Sequence, residues 1–239
     1  QTGIRPEELD MIVVSTMSPD AVLPCTACEV QKAIGAEGAV CFDLQAACTG
    51  FIFAYNTAQA YIQSNMCRTV LLIGSERLSR LVDWTDRGTC ILFGDGAGAA
   101  VLKAAEGRAY LPISYSDGKK GEALTCDRYI HMDGRAVFQF AVTRVPEVIR
   151  EVLTKNELLM DDIDYFVLHQ ANRRIVEAVA KRLRQPIEKF PMNLQEYGNT
   201  SSASIPILLD EMNRSGKLKK GQKLVVAGFG AGLSWGASI

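Results

Sequence analysis

The chain has 239 residues, 48% hydrophobic and 22% charged, with a formal net charge of -1. That balance suits a soluble globular chain of one large domain or two joined ones, and it offers no basic excess for nucleic acid. No apolar run reaches the roughly 18 residues that span a bilayer, and the polar stretch from Gln1 to Asp10 has no signal-peptide core.

The first element read along the chain is a strand, Asp10 to Ser15, after the acidic turn Pro6-Glu7-Glu8-Leu9. Its apolar run has no alternation, which predicts a strand covered on both faces. Seven cysteines, odd in number and scattered, do not suggest a secreted disulfide framework and fit a reducing cytoplasm. Cys41 and Cys90 read as small buried hydrophobes. Cys25 and Cys28 form a single CxxC with no second pair or neighbouring His, so packing is expected there rather than a metal.

Cys48 to Ile62 is apolar nearly all round, the mark of a helix buried at the centre of a protein. A second buried strand is predicted over Thr69 to Gly74. Arg77 to Arg87, polar and carrying Trp84, reads as a surface helix and loop. Gly94-Asp-Gly-Ala-Gly98 lacks GxGxxG spacing and is expected to serve close backbone packing. Ser114 to Asp133, rich in glycine and charge, reads as a mobile loop. Ala136 to Leu153 predicts a helix with Val137, Phe140, Ala141, Val148, Ile149 and Val152 inward and a kink at Pro146.

Beyond it, Asp164 to His169 and Lys223 to Phe229 repeat the two strands. The separation from Asp10 to Val70 and from Asp164 to Leu224 is 60 residues in each case, which argues for an internal duplication. A helix lies between the strands of each half, the second one following Gly198-Asn-Thr-Ser-Ser-Ala203. Cys48 and Asn199 are therefore read as equivalent, each near the start of such a helix, with His169 at a strand end. Layered α/β folds gather sites at strand ends and helix starts.

Cys48 has small neighbours that allow close substrate approach. Free Cys titrates near about 8.5, and a helix start or imidazolium lowers that value. Buried packing is the competing reading for Cys48, a satisfied core position for His169, and a turn residue for Asn199. The other histidine, His131, is expected at the surface or against the adjoining helix.

Ala46-Ala-Cys-Thr-Gly-Phe51, Asp86-Arg-Gly-Thr89, Phe93 to Gly98, His169-Gln-Ala-Asn172, Gly198 to Ala203 and Gly228 to Gly236 together resemble the signature blocks of β-ketoacyl-[acyl carrier protein] synthase III. The resemblance covers essentially the whole chain. It implies an α/β fold of the thiolase type: duplicated αβαβα layers with mixed sheets and buried central helices. The halves would be 1–110 and 134–239, joined by a connecting loop over 111–133.

The implied reaction is decarboxylative condensation of an acyl-CoA with malonyl-[acyl carrier protein], initiating fatty acid biosynthesis. Cys48, His169 and Asn199 would be catalytic, with backbone N–H groups of Cys48 and Ala231 as the oxyanion hole. Arg87, Gly88, Asn172 and Leu23 would bind substrate, Leu23 across a homodimer. Arg173 and Arg174, with Lys181, Arg182 and Arg184, would dock the acyl carrier protein. No metal or cofactor is implied.

The family pattern also includes an N-terminal portion of about 70–80 residues, a length consistent with a larger two-half domain, and a longer loop around Thr125-Cys-Asp127. A related condensing enzyme of secondary metabolism remains the alternative. A cysteine hydrolase ranks below it, since the papain-type setting has Cys-Gly-x-Cys-Trp where Thr49-Gly50 follows Cys48 here.

Overall fold

The unalternating apolar runs fold as strands covered on both faces, as their composition requires. In the computed structural model, which describes residues 2–239, β1 (Met11–Ser15) is buried at every position. It lies between β2 (Val40–Leu44) and β3 (Thr69–Arg77), parallel to both, and β4 (Asp95–Lys103) closes the order β2-β1-β3-β4 antiparallel to β3. The second sheet runs β5-β10-β9-β8, from β5 (Ile113–Ser116), β8 (Tyr165–Leu168), β9 (Leu224–Gly230) and β10 (Ser234–Ser238). Here β8 and β9 are parallel and the other pairs antiparallel.

Helix α1 (Thr26–Ile34) covers the outer face of the first sheet. Helices α2 (Gly50–Gln63) and α6 (Ser204–Arg214) lie between the sheets, α2 touching β1, β3, β9 and β10, and α6 touching β3, β4 and β8. That position explains why α2 has no polar stripe. Helices α3 (Gly134–Lys155) and α4 (Arg173–Leu183) cover the second sheet, and α5 (Leu194–Tyr197) is one turn before α6. The layers are therefore helix, sheet, helix, sheet, helix.

All six residues expected to face inward on α3 are buried, and Pro146 is buried inside it. Asp133 starts the helix by accepting from the N–H groups of Arg135 and Ala136, both at 3.0 Å. The glycine run becomes the first part of β4 because backbone comes very close there. A Cβ on Gly98 would stand 2.6 Å from Ile207 N, and one on Gly94 would overlap Tyr197 O.

Three expectations need correction. The segment 114–133 is not a mobile loop: it holds part of β5, a 3-10 turn (Gly118–Ala123) and the hairpin of β6 (Leu124–Cys126) with β7 (Ile130–Met132). Paired backbone holds it, Tyr115 against Trp235 in the sheet and Asp117 against Leu233 beyond it at 2.7 and 3.1 Å. Since β5 is an edge strand of the second sheet, 111–133 is not merely a connector. Arg77 to Arg87 forms only a 3-10 turn (Leu78–Arg80) followed by turns, because Leu78 and Val82 are drawn into an apolar cluster with Ile130.

The third correction concerns the repeat. One constant shift carries Asp10 onto Asp164, the 3-10 turn Pro6–Glu8 onto Met160–Asp162, and Met11 paired with Val70 onto Tyr165 paired with Leu224. It carries the turn Ala47–Thr49 onto Ser201–Ala203, with Ala47 and Ser201 both left-handed at φ 45° and 49°. Cys48 therefore has Ser202, not Asn199, as its counterpart. Asn199 lies in an extended stretch before the turn, bridged to Phe93.

Candidate active site

Cys48 sits in the 3-10 turn that leads into α2, buried at 8% exposure. A Cβ on Gly230 would come within 2.9 Å of Cys48 N and 3.2 Å of Cys48 Cβ, so only glycine leaves the thiol surroundings open. The turn is tied to the loop after β9 by Thr49 Oγ1 and Ser234 Oγ, 2.6 Å apart, while Ser234 Oγ donates to Ala231 O at 3.0 Å. This link fixes the Cys48 backbone relative to Ala231.

Burial pushes the Cys48 thiol up to about 12, against a smaller pull from Ser201, and the buried Glu76 carboxylate adds to the rise. Desolvation is the largest influence on this thiol. In the resting site Cys48 is a protonated thiol.

His169 follows β8 directly and is 2% exposed. Its ring packs edge-on against Phe229 at 5.6 Å, and Nδ1 lies 2.7 Å from Ser204 Oγ. Burial lowers its pKa to about 4, so the imidazole is neutral at physiological pH. Asn199 is held by its backbone, N to Leu92 O at 2.8 Å and O from Gly94 N at 3.0 Å. Its Oδ1 accepts from Ser201 N at 2.9 Å, which leaves the NH2 group as the free end of the amide.

Cys48, His169 and Asn199 line one cavity of about 220 Å3 together with Gly88, Phe138, Asn172, Phe229 and Gly230. A second, smaller cavity of about 40 Å3 adjoins it, sharing Cys48, Phe93 and Leu124, and is lined also by Met17, Leu78, Ile130, Ser201 and Ala231. A neutral imidazole, an amide NH2 and a thiol facing one space can bind a thioester and stabilise a developing oxyanion without a charged donor.

Of the remaining expected residues, Gly88 reaches the cavity on a loop braced by Asp86, which accepts from Gly88 N at 2.8 Å and Thr89 Oγ1 at 2.7 Å. Arg87 is exposed beside it. Asn172 lines the cavity, but its Oδ1 also caps α4 by accepting from Arg174 N at 2.8 Å. Arg174 stands over the Phe138 ring at 5.6 Å, at the cavity rim, while Arg173 pairs with Glu177 at 2.8 Å. Lys181, Arg182 and Arg184 are exposed along and just past α4.

Leu23 is not brought to the cavity within the single chain; it is 82% exposed on the loop before α1. His131 is exposed on β7. Cys25 and Cys28 are free thiols 3.4 Å apart, and among the described residues no group of His, Cys, Asp or Glu is arranged to hold a metal ion.

Sequence reasoning missed Ser204, Ser201 and the buried Glu76. Glu76 accepts from Met17 N, Ser18 Oγ and Ser202 Oγ at 3.1, 2.7 and 2.9 Å. The signal for the serines was the run of hydroxyls from Thr200 to Ser204, which has no helical or strand period.

Two duplicated, sheet-covered halves, with Cys48, His169 and Asn199 lining one cavity between them, have the thiolase-like fold. Residues 42–118 match the model of 3-oxoacyl-[acyl-carrier-protein (ACP)] synthase III, and residues 153–239 match the model of its C-terminal part. The chain is 47% identical to a β-ketoacyl-[acyl-carrier-protein] synthase III of Clostridium acetobutylicum, over 100% of this chain and 78% of that protein. That alignment runs over 255 positions for 239 residues, so the relative carries internal residues that this chain lacks.

The 3-oxoacyl-[acyl-carrier-protein] synthase III structure from Aquifex aeolicus VF5 superposes with a TM-score of 0.95 at 45% identity, covering 98% of this chain and 77% of that one. The priming β-ketosynthase of the R1128 polyketide pathway superposes at 0.94 with 36% identity, over 99% and 75%. The chain belongs to the β-ketoacyl-[acyl-carrier-protein] synthase III family.

Proposed function

We propose that this chain condenses an acyl-CoA primer with malonyl-[acyl carrier protein] to give β-ketoacyl-[acyl carrier protein], the initiating step of fatty acid biosynthesis. The observation that supports it best is the single cavity in which the Cys48 thiol meets two neutral donors, His169 and the Asn199 amide. In the first half-reaction Cys48 sulfur bonds to the acyl carbon, the carbon–sulfur bond to CoA breaks, and the thiol proton leaves with CoA. The oxyanion faces backbone N–H groups of Cys48 and Ala231. Only its N–H is needed at position 231, so alanine serves as well as glycine.

In the second half-reaction malonyl-[acyl carrier protein] loses CO2, and its enolate carbon attacks the acyl-Cys48 carbonyl, releasing the thiolate. His169 Nε2–H and Asn199 NH2 hold the enolate oxygen. Neutral donors suit this step, because neither gives up its hydrogen bond by titrating near pH 7. The small apolar cavity beside Cys48 favours a short acyl group.

The pantetheine arm enters past Gly88, Asn172 and Phe138, with Arg87 and Arg174 at the mouth. Arg173, Arg174, Lys181, Arg182 and Arg184 give the acidic carrier a basic landing surface. The exposed Leu23 suits contact with a second copy, and we read the enzyme as a cytoplasmic homodimer working without a cofactor. The sheets support halves meeting near residue 110, with β5 on the C-terminal side.

The test is product analysis by mass spectrometry with acetyl-CoA and malonyl-[acyl carrier protein]. Acetoacetyl-[acyl carrier protein] and CO2 are expected. Hydrolysis of acetyl-CoA with no carbon–carbon bond would overturn the reading, and condensation only with a primer of a dedicated secondary pathway would favour the polyketide alternative.

A further inference from the structure

We infer that Ser204 is a positioning residue: its hydroxyl donates to His169 Nδ1 and thereby keeps the imidazole proton on Nε2, the nitrogen aimed into the cavity. The inference rests on the proposed role of His169 as a neutral donor, and it names what makes the ring a donor rather than an acceptor there.

The argument is a count of hydrogens. Ser204 is the first residue of α6 and only 2% exposed. Its Oγ has two recorded neighbours, His169 Nδ1 at 2.7 Å and Gln170 N at 3.3 Å. The Gln170 N–H can only donate, so Ser204 Oγ accepts from it. Were His169 to carry its proton on Nδ1, Ser204 would accept twice and its own O–H would be left buried without an acceptor. Such unmet donors are rare and costly. If Ser204 donates to Nδ1, the hydroxyl, the Gln170 N–H and Nδ1 are all satisfied, and in the neutral ring Nε2 must hold the proton.

The surroundings keep this arrangement from rotating away. Gln170 is fixed at both ends of its side chain, Nε2 to Leu168 O at 2.8 Å and Oε1 from Asn193 N at 3.2 Å. The edge-on Phe229 ring restrains the imidazole plane.

The duplicated half supplies an internal control. The shift that pairs Cys48 with Ser202 pairs His169 with Ser15 and Ser204 with Gly50. Gly50 carries no hydroxyl to offer, and a Cβ there would meet Ser15 Oγ, which would have to shift. Ser15 Oγ is itself buried without a hydrogen-bond partner. The hydroxyl at the helix start is therefore not a requirement of the repeated fold. It is present in the half where a ring nitrogen needs a partner.

The test reads the tautomer directly. Wild-type protein labelled with 15N-histidine, with His131→Asn used to assign the two rings, is examined by NMR without substrate near pH 7. The His169 ring should show a bare Nδ1 and a protonated Nε2. A protonated Nδ1 in the wild type would overturn the inference, and this measurement needs no mutant to fold.

In Ser204→Ala the ring should populate both tautomers, and the condensation rate should fall roughly tenfold, the scale of one buried hydrogen bond. Ser204→Thr, which restores a hydroxyl, should recover the wild-type pattern. An unchanged ring spectrum in Ser204→Ala would also sink it. If the chain proves not to condense malonyl groups, the kinetic arm falls with the proposed function, but the spectroscopic arm still decides the tautomer.

Discussion

The two halves share a backbone and differ in what fills it, most sharply at the 3-10 turn before each central helix. In the first half Cys48 faces Gly230, and the missing side chain leaves the thiol and its N–H open to a cavity. In the second half Ser202 stands in Cys48's place and Glu76 in that of Gly230. The Glu76 carboxylate reaches across to Ser202 Oγ at 2.9 Å, and Ser202 Oγ lies at the same distance from Ser15 O. One turn opens on a cavity and the other is a plugged, hydrogen-bonded joint between the halves. Duplication supplied the geometry twice, and a glycine in one place against a buried glutamate in the other decided which copy stays accessible.

Burial acts on both copies in opposite senses of usefulness. It raises the Glu76 pKa, offset in part by hydrogen bonds from Ser18, Met17 and Ser202, so the plug is held by donors rather than by a counter-charge. It also keeps Cys48 protonated and His169 neutral at rest. The copy that opens on the cavity therefore carries an uncharged thiol and an uncharged imidazole.

The largest contrast is expected from removing the two turn residues. Cys48→Ala should abolish transfer of the acyl group to protein, whereas Ser202→Ala should keep it and lower stability by about 1 kcal/mol. Acylation assays and denaturant melts of both variants check this, and equal loss of acylation would break the distinction between the copies.

Next in size are the donors. His169→Ala and Asn199→Ala should each slow condensation by about a hundred- to a thousandfold, corresponding to roughly 2.7–4 kcal/mol. Acylation should suffer less, since it leans on backbone N–H groups. Single-turnover measurement of each half-reaction tests the division, and comparable losses in both would count against it.

A moderate effect is expected from filling or emptying the two gaps. Gly230→Ala places a methyl against Cys48 N and should impair acylation while the fold persists. Glu76→Ala strands the Met17 and Ser18 donors, while Ser202 Oγ keeps Ser15 O at 2.9 Å, and should cost about 1–3 kcal/mol of stability. Acylation kinetics and urea melts are the readouts.

The last contrast is in how stability depends on pH. His169 has a folded pKa of about 4 against a reference of 6.5. Between those values the unfolded chain binds the proton and the folded one does not, so stability is present above pH 6.5 and falls as pH drops through the window. The slope attributable to this ring is about 1.4 kcal/mol per pH unit. His169→Asn should remove that slope, which melts from pH 4 to 7 would reveal.

Much of the fold was legible because both copies of the strand pair are long apolar runs. Met11 to Ser15 and Tyr165 to Leu168 could be placed by composition alone, and the repeat then drew attention to Cys48 and His169. The register of the repeat was misjudged by three residues at Asn199, because Gly-Asn-Thr-Ser looks like a helix cap and is instead an extended bridge followed by a tight turn. The β4 strand was hidden by its glycines, whose lack of side chains follows from α6 lying against them. The ordered hairpin of β6 and β7 was hidden by short strands and charge. Glu76 carries no sequence signal and Ser204 only its place in a run of hydroxyls, since what makes them matter is contact with residues 126 and 35 positions away.

The central claim is that the acyl group lands on Cys48, the open copy of the duplicated turn. Incubating the protein with isotopically labelled acetyl-CoA, trapping by acid quench and mapping the labelled peptide tests it most directly. The label should reside on the peptide containing Cys48 and disappear on addition of malonyl-[acyl carrier protein]. Label on Cys25, Cys28 or Cys126 with Cys48 unmodified would contradict the account.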